Sequence, residues 1–101
     1  MKAKKRKHQE SKQPIRDRLQ EAFPDTDLLF MTENEFDEAI VGVIHGKAHE
    51  PAVAYDYKKV IEINMKQGMT YDEAVEFWSY NQSDAYVGKH TPVFLFTGED
   101  E

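Results

Sequence analysis

Histidine and carboxylate side chains are the first candidates for chemistry in this chain. His45 and His49 are four residues apart, and Glu50 follows them directly. On a continuous helix this spacing brings two imidazoles to one face, where they can ligate zinc. Gly46 interrupts the segment, and the only further histidine downstream is the distant His90. We therefore expect neither a metal nor a cofactor, and keep His45 and His49 as weak metal candidates.

Asp72, Glu73 and Glu76 are a second candidate group, because paired carboxylates can divide the roles of general acid and general base. That division requires a cleft that raises the pKa of one of them. Carboxylates in the first turns of a helix more commonly complement its dipole. The chain also has no nucleophile elbow and no glycine-rich phosphate loop. The sequence therefore predicts a protein that is not an enzyme.

Aromatic residues close to these carboxylates indicate a binding surface instead. Tryptophan and tyrosine contribute large contact areas to protein interfaces at low entropic cost. Core packing and helix capping are the competing interpretation for the same residues. We predict that a protein partner binds a surface formed by Asp72, Glu73, Glu76, Trp78, Tyr80, Asn81 and Tyr86.

The charge of the chain is unevenly distributed. The 101 residues have a formal net charge of −6, but residues 1–18 carry +6 and residues 19–101 carry −12. Charge of this size can simply keep a small protein soluble. It can also imitate the phosphates of a nucleic acid, in which case the chain would inhibit a DNA-binding protein by occupying its groove.

The basic residues are concentrated at the N-terminus. Residues 1–12 contain no apolar side chain beyond Met1 and Ala3, so we expect a disordered basic tail. Lys4, Lys5, Arg6 and Lys7 can neutralise phosphates, and nucleic-acid binding through the tail is the alternative function. A solubilising tail is the more common explanation. We expect one domain over residues 13–98 and an acidic end at residues 99–101.

Composition excludes several classes of protein. The chain has no cysteine, which rules out disulfides, cysteine-ligated zinc and thiol catalysis. No run of about 20 apolar residues is present to span a membrane, and no secretory signal follows Met1. A small metal-dependent enzyme remains only as a remote alternative. We expect a soluble cytoplasmic protein.

Hydrophobic periodicity predicts elements in the first half of the chain. Residues 14–23 have an apolar stripe typical of a helix, and the short apolar run 28–31 favours a buried strand. Residues 32–46 have two interpretations. Thr32 and Glu35 can form a capping box for a helix, which we favour. The β-branched run 40–44 can instead pair with a strand over 52–55 as a hairpin.

The second half is better specified. We predict a helix over residues 57–67 with Asp56 as N-cap, ended by Gly68, and a helix over 70–81 with a capping box of Thr70 and Glu73. Residues 93–96 are expected to form a last strand, buried on both faces. The result is a single α+β domain with about three short strands and three to four helices. An exposed edge strand would permit a homodimer, and otherwise we expect a monomer.

Several segments also resemble a known family. These are 36–42 (FDEAIVG), 55–63 (YDYKKVIEI), 68–81 (GMTYDEAVEFWSYN), 85–88 (AYVG) and 91–94 (TPVF). They resemble small bacteriophage-encoded proteins to which no activity is assigned. The likeness extends over roughly residues 36–96 and leaves out the basic tail. It implies a phage or prophage product that works in the bacterial cytoplasm, and it assigns no catalytic residue.

Overall fold

The computed structural model describes residues 13–83, 85 and 87–98 of the chain. These residues confirm an α+β fold, in which helical segments pack against a three-stranded sheet. The elements, in chain order, are α1 (Ile15–Ala22), a 3₁₀ helix (Asn34–Ala39), β1 (Ile40–Gly46), β2 (His49–Asp56), α2 (Tyr57–Lys66), α3 (Tyr71–Phe77), a π-helical turn (Trp78–Ser83) and β3 (Val93–Leu95).

The sheet has the strand order β1-β2-β3, so β2 is central. β1 and β2 are antiparallel, with Val43 opposite Val53. β3 is parallel to β2, with Phe94 opposite Tyr55. A parallel pair needs a long crossover connection, and here α2, α3 and the π-helical turn lie within it. The central strand is buried from residue 51 to residue 55.

The core forms where α2 packs between the sheet and α3. Val60 and Ile63 of α2 belong to one buried cluster together with Val53 and Tyr55 of β2. Ile61 belongs to a second cluster that includes Ala74 of α3. Because α2 presents apolar side chains in two directions, it connects the sheet to the helix that carries the predicted binding residues.

The helix that we favoured for residues 32–46 is wrong, and the hairpin alternative is confirmed. Only Asn34–Ala39 is helical, as a 3₁₀ segment without a side-chain cap at its N-terminus. The chain then enters β1, whose β-branched residues pair with β2. Local capping and periodicity favoured a helix. Pairing with β2 instead packs Ile40 and Val43 against the core, and these long-range contacts outweigh the local preference for a helix.

The predicted strand at residues 28–31 is also wrong, because side chains satisfy the backbone of this segment. The Met31 N–H donates to the Tyr55 hydroxyl at 2.8 Å, and the Arg16 guanidinium donates to the Met31 carbonyl at 2.7 Å. The Leu28 N–H donates to the Gln20 side-chain oxygen at 3.2 Å. Leu28 is buried in the cluster that contains Val53 and Tyr55 of β2 but does not pair with that strand, so the apolar run correctly indicated burial but not sheet pairing.

The other predicted helices are present, with one difference: the helix predicted over residues 70–81 is α-helical only over Tyr71–Phe77 and continues as the π-helical turn Trp78–Ser83. α1 begins directly after Pro14, and the Asp56 side chain caps α2 by accepting from the Lys58 N–H. Gly68 has a φ of 110°, the left-handed geometry expected after the end of α2. None of the helices in the described part of the chain is both long and apolar enough to cross a membrane.

The last strand differs from its prediction in one respect. β3 lies at an edge of the sheet and is half-buried, whereas we predicted burial on both faces. Only three residues pair, and Phe96 beyond them is 60% exposed. The predicted tail (1–12) and acidic end (99–101) lie outside the described residues.

Candidate functional site

One face of α3 and the following turn carries both carboxylates and aromatic rings. Glu73, Glu76 and Phe77 are spaced i, i+3 and i+4, which places them on one side of α3. Tyr80 of the π-helical turn lies beside them. All four are exposed, Tyr80 at 70% and Phe77 at 36%. Ala74, on another side of α3, is fully buried. The helix is therefore anchored on one side and open on the other.

A capping box fixes the start of α3. The Thr70 hydroxyl accepts from the Glu73 N–H at 3.2 Å, and the Glu73 carboxylate accepts from the Thr70 N–H at 2.9 Å. The predicted box is confirmed. The Glu73 carboxylate thus has a structural task of its own, while its side chain remains exposed.

The π-helical turn after α3 is held by a pair of amides. Asn64, which is 0% exposed, donates to the Gln82 side-chain oxygen at 3.0 Å and to the Ala74 carbonyl at 3.3 Å. Gln82 donates back to the Asn64 side-chain oxygen at 3.3 Å. A buried amide that is satisfied in this way specifies one arrangement of its neighbours. The pair fixes the turn that carries Tyr80 and Asn81 to α2.

Trp78 anchors the same turn from the opposite direction. Its ring makes edge-to-face contacts with Tyr57, with a centroid distance of 4.7 Å, and with Phe94 at 5.7 Å. Phe96 stacks on Tyr57 at 4.1 Å. The structure therefore places Trp78 within an aromatic cluster between α2 and β3, where it contributes packing.

The exposed side chains surround a shallow hollow of about 310 Å³. We call its lining residues the acidic–aromatic face: Met69, Glu73, Glu76, Phe77, Tyr80 and Asn81. Four of these were predicted from the sequence. Met69 and Phe77 were not, although the four-residue step from Glu73 to Phe77 would have indicated that Phe77 shares this face.

A second concavity of about 280 Å³ adjoins this face. We call it the apolar groove. Its walls come from the segment before the 3₁₀ helix, from the π-helical turn and from the approach to β3. Apolar lining residues include Phe30, Phe36, Phe77, Val87, Pro92 and Phe94, and the polar ones include Glu33, Asn81 and Gln82. Phe77 and Asn81 line both concavities, so the groove and the face meet at these two residues.

The remaining predicted binding residues lie elsewhere. Asp72 is exposed on α3 but does not line the hollow. Tyr86 lies outside the described residues, as do Lys4, Lys5, Arg6 and Lys7 of the tail.

The weak metal candidates occupy the hairpin and not a helix. His45 is in β1, with its ring 5.8 Å from that of Phe23, and His49 begins β2. The helical i, i+4 geometry that motivated the zinc hypothesis is therefore absent. Within residues 13–83, 85 and 87–98, no three histidine or carboxylate side chains are grouped to hold a metal ion. His90 bonds through Nδ1 to the Pro51 carbonyl at 2.8 Å.

Tyr55, a core residue in the described part of the chain, has a shifted pKa. Burial raises the pKa of the Tyr55 hydroxyl, partly offset by the hydrogen bond from the Met31 N–H. Arg16 lies near, with its Nε donating to both Asp37 oxygens at 2.8 and 2.9 Å. These contacts join α1 and the 3₁₀ helix to the sheet. They form a structural network away from the acidic–aromatic face.

Comparison with protein families, curated proteins and solved structures finds no match to this chain. The resemblance to bacteriophage proteins stays a prediction, and the site is interpreted from its own geometry.

Proposed function

We propose that this chain is a small accessory or regulatory protein, without enzymatic activity, that binds a protein partner through the acidic–aromatic face. The observation that carries the proposal is the joint exposure of Glu73, Glu76, Phe77 and Tyr80 around one hollow of α3 and the π-helical turn. The resemblance described above favours a phage product in the bacterial cytoplasm, with a host or phage protein as partner.

The side chains of this face favour a partner segment that contains lysine or arginine. Two carboxylates attract a cation, and the adjacent rings of Phe77 and Tyr80 can contact its alkyl stem or its charged head. The charge of −12 over residues 19–101 would accelerate association with a basic surface. Aromatic residues are also common among the side chains that dominate binding energy.

Imitation of nucleic acid is a special case of the same proposal. In that case the partner's basic segment is a DNA-binding surface, and DNA would compete with this chain for it. A competition assay with duplex DNA distinguishes a mimic from a partner that uses another surface.

The test is quantitative affinity capture from bacterial lysate with two matched variants. The site variant is Glu73→Gln/Glu76→Gln/Tyr80→Ser. Glutamine at residue 73 keeps the reciprocal hydrogen bond of the capping box, so the charge is removed without removing the cap. The control is Glu62→Gln/Glu38→Gln/Tyr71→Ser, which changes three exposed residues outside the face.

We expect at least one protein whose recovery falls about tenfold or more with the site variant and not with the control, as loss of a hot-spot residue would produce. That protein is then purified and its affinity for both variants measured by calorimetry. Equal recovery of every captured protein by the two variants would refute the acidic–aromatic face as the binding site.

A further inference from the structure

The apolar groove meets the acidic–aromatic face at Phe77 and Asn81, which line both. We infer that the two concavities form one recognition site for an extended peptide segment. A large apolar side chain of that segment enters the groove, and a neighbouring lysine or arginine contacts Glu73 and Glu76. This inference rests on the proposed function and specifies what the face recognises.

The groove suits an apolar side chain. Its volume of about 280 Å³ is at the lower limit of small-molecule sites and has room for one large side chain. Phe30, Phe36, Pro92 and Phe94 supply apolar walls, and Phe36 is itself buried. Burial of an apolar ligand group here would remove both surfaces from water.

The amides in the groove wall have different roles. Gln82 is already paired with Asn64 through two hydrogen bonds. Asn81 is exposed and lies at the junction of the two concavities. Its amide can both donate and accept, which is the capacity needed to bind the backbone of an extended peptide.

The charge around the site selects the partner. Glu33 lines the groove, and Glu73 and Glu76 line the hollow. Neither concavity has a lysine, arginine or histidine among its described lining residues. A cationic segment is therefore attracted, whereas an acidic segment would place like charges together.

Synthetic peptides can test this directly by nuclear magnetic resonance titration of the ¹⁵N-labelled full chain. The probe is a capped heptapeptide of glycine and serine that contains one leucine and one lysine. It is prepared in three versions, in which one, two or three residues separate the leucine from the lysine. Matched probes replace leucine by serine, or lysine by glutamate. Titration to about 5 mM detects the millimolar affinities that such short ligands provide.

We expect the leucine–lysine probe with the best separation to shift amides that line both concavities. Replacing its leucine by serine should weaken binding about tenfold, the value of one large apolar side chain withdrawn from water. Replacing its lysine by glutamate should abolish detectable binding.

Two protein variants distinguish the contribution of the groove to binding from that of the acidic–aromatic face. Val87→Ser removes an exposed apolar group from the groove wall, and Val41→Ser removes a similarly exposed group from β1 as its control. We expect Val87→Ser to weaken the leucine–lysine probe about threefold and to leave the serine–lysine probe unchanged. Val41→Ser should affect neither.

The outcomes distinguish this inference from the proposed function. Equal affinity for the leucine and serine probes refutes the groove as an apolar subsite, even if captured partners still depend on Glu73, Glu76 and Tyr80. No shift with any probe also refutes the inference. Concentration-dependent shifts of groove amides without peptide, together with dimers in sedimentation, would identify a second copy as the occupant and refute a peptide.

Discussion

The β2–α2 region and the α3–π turn region are both rich in apolar residues, but they use them differently. Residues 51–55 and most of the inward face of α2 are covered from all directions by the sheet and the neighbouring helices. α3 has one fully buried residue, Ala74, and its Phe77 and the Tyr80 of the π-helical turn are exposed beside carboxylates. The first region stabilises the fold, and the second presents a surface.

The contrast shows that the exposure of a side chain must be judged together with the contacts that hold its backbone. Exposed aromatic side chains scattered singly on a surface need no explanation. Here hydrogen bonds hold the backbone of the exposed face, in a capping box at one end of α3 and in the Asn64–Gln82 pair after it. A fixed backbone lowers the entropic cost of binding.

The largest effect on the free energy of unfolding is expected for a buried residue of α2, and an exposed residue of the same helix is its control. Ile61→Ala removes a side chain that is almost completely buried, so the free energy of unfolding should fall by about 2–5 kcal/mol. Met65→Ala removes an exposed side chain and should change it by about 0.5 kcal/mol or less. Urea denaturation measures both. Similar losses for the two variants would contradict the packing of α2 described here.

The second largest effect on the free energy of unfolding is expected for the amide pair. Gln82→Leu leaves the buried Asn64 side-chain oxygen without the partner seen here, at a cost of about 1–3 kcal/mol in the free energy of unfolding. The double variant Asn64→Leu/Gln82→Leu replaces both partners by apolar groups and should recover part of that loss. A strictly additive double-variant cycle from thermal or urea unfolding would show that the two amides do not interact.

The cap of α3 should have a smaller effect. Thr70→Ala removes one hydrogen bond of the capping box and should lower the free energy of unfolding by about 1 kcal/mol. Glu73→Gln keeps the box and should cost less than Thr70→Ala. If Glu73→Gln proves the more damaging of the two, the carboxylate charge stabilises the helix more than the hydrogen bond does.

The buried hydroxyl of Tyr55 adds a pH dependence to the β2 region. Because its pKa is raised above the ordinary value of 10.0, the folded protein retains this proton where the unfolded chain has lost it. The contribution of this hydroxyl to the free energy of unfolding is therefore fully present below pH 10.0. It is lost as the pH rises through the higher pKa of the folded state.

Tyr55→Phe should cost about 1 kcal/mol at neutral pH, since the Met31 N–H loses its acceptor. The variant should also lose less stability than the wild type between neutral and strongly alkaline pH. Urea titrations at several pH values measure the slope of the free energy of unfolding against pH for each protein. Parallel slopes would contradict burial of this hydroxyl.

The sequence predicted the second half of the fold better than the first. Asp56, Gly68 and the Thr70–Glu73 box are local signals whose hydrogen bonds form within a few residues, and all are confirmed. The helix over residues 32–46 failed because pairing with β2 is a long-range effect. The strand at 28–31 failed because Arg16, Gln20 and Tyr55 satisfy its backbone from distant positions.

The candidate site was predictable to a similar degree. Glu73, Glu76 and Tyr80 could be grouped from the sequence, because they are close to one another in the chain. The apolar groove brings together residues 30–33 and 36, residues 77, 81, 82, 85 and 87, and residues 91, 92 and 94. No local pattern links these segments. The crossover from β2 to β3 carries the later ones, whereas contacts of Met31 with Arg16 and Tyr55 hold the first.

Oxidative footprinting of exposed side chains, with and without a captured partner, tests the central claim most directly. Phe77 and Tyr80 should lose about nine-tenths of their labelling when the partner binds, as expected for side chains at the centre of an interface. Tyr71, which is exposed on α3 outside the hollow, should be labelled equally in both states. Protection of Tyr71 with unchanged labelling of Phe77 and Tyr80 would contradict the account.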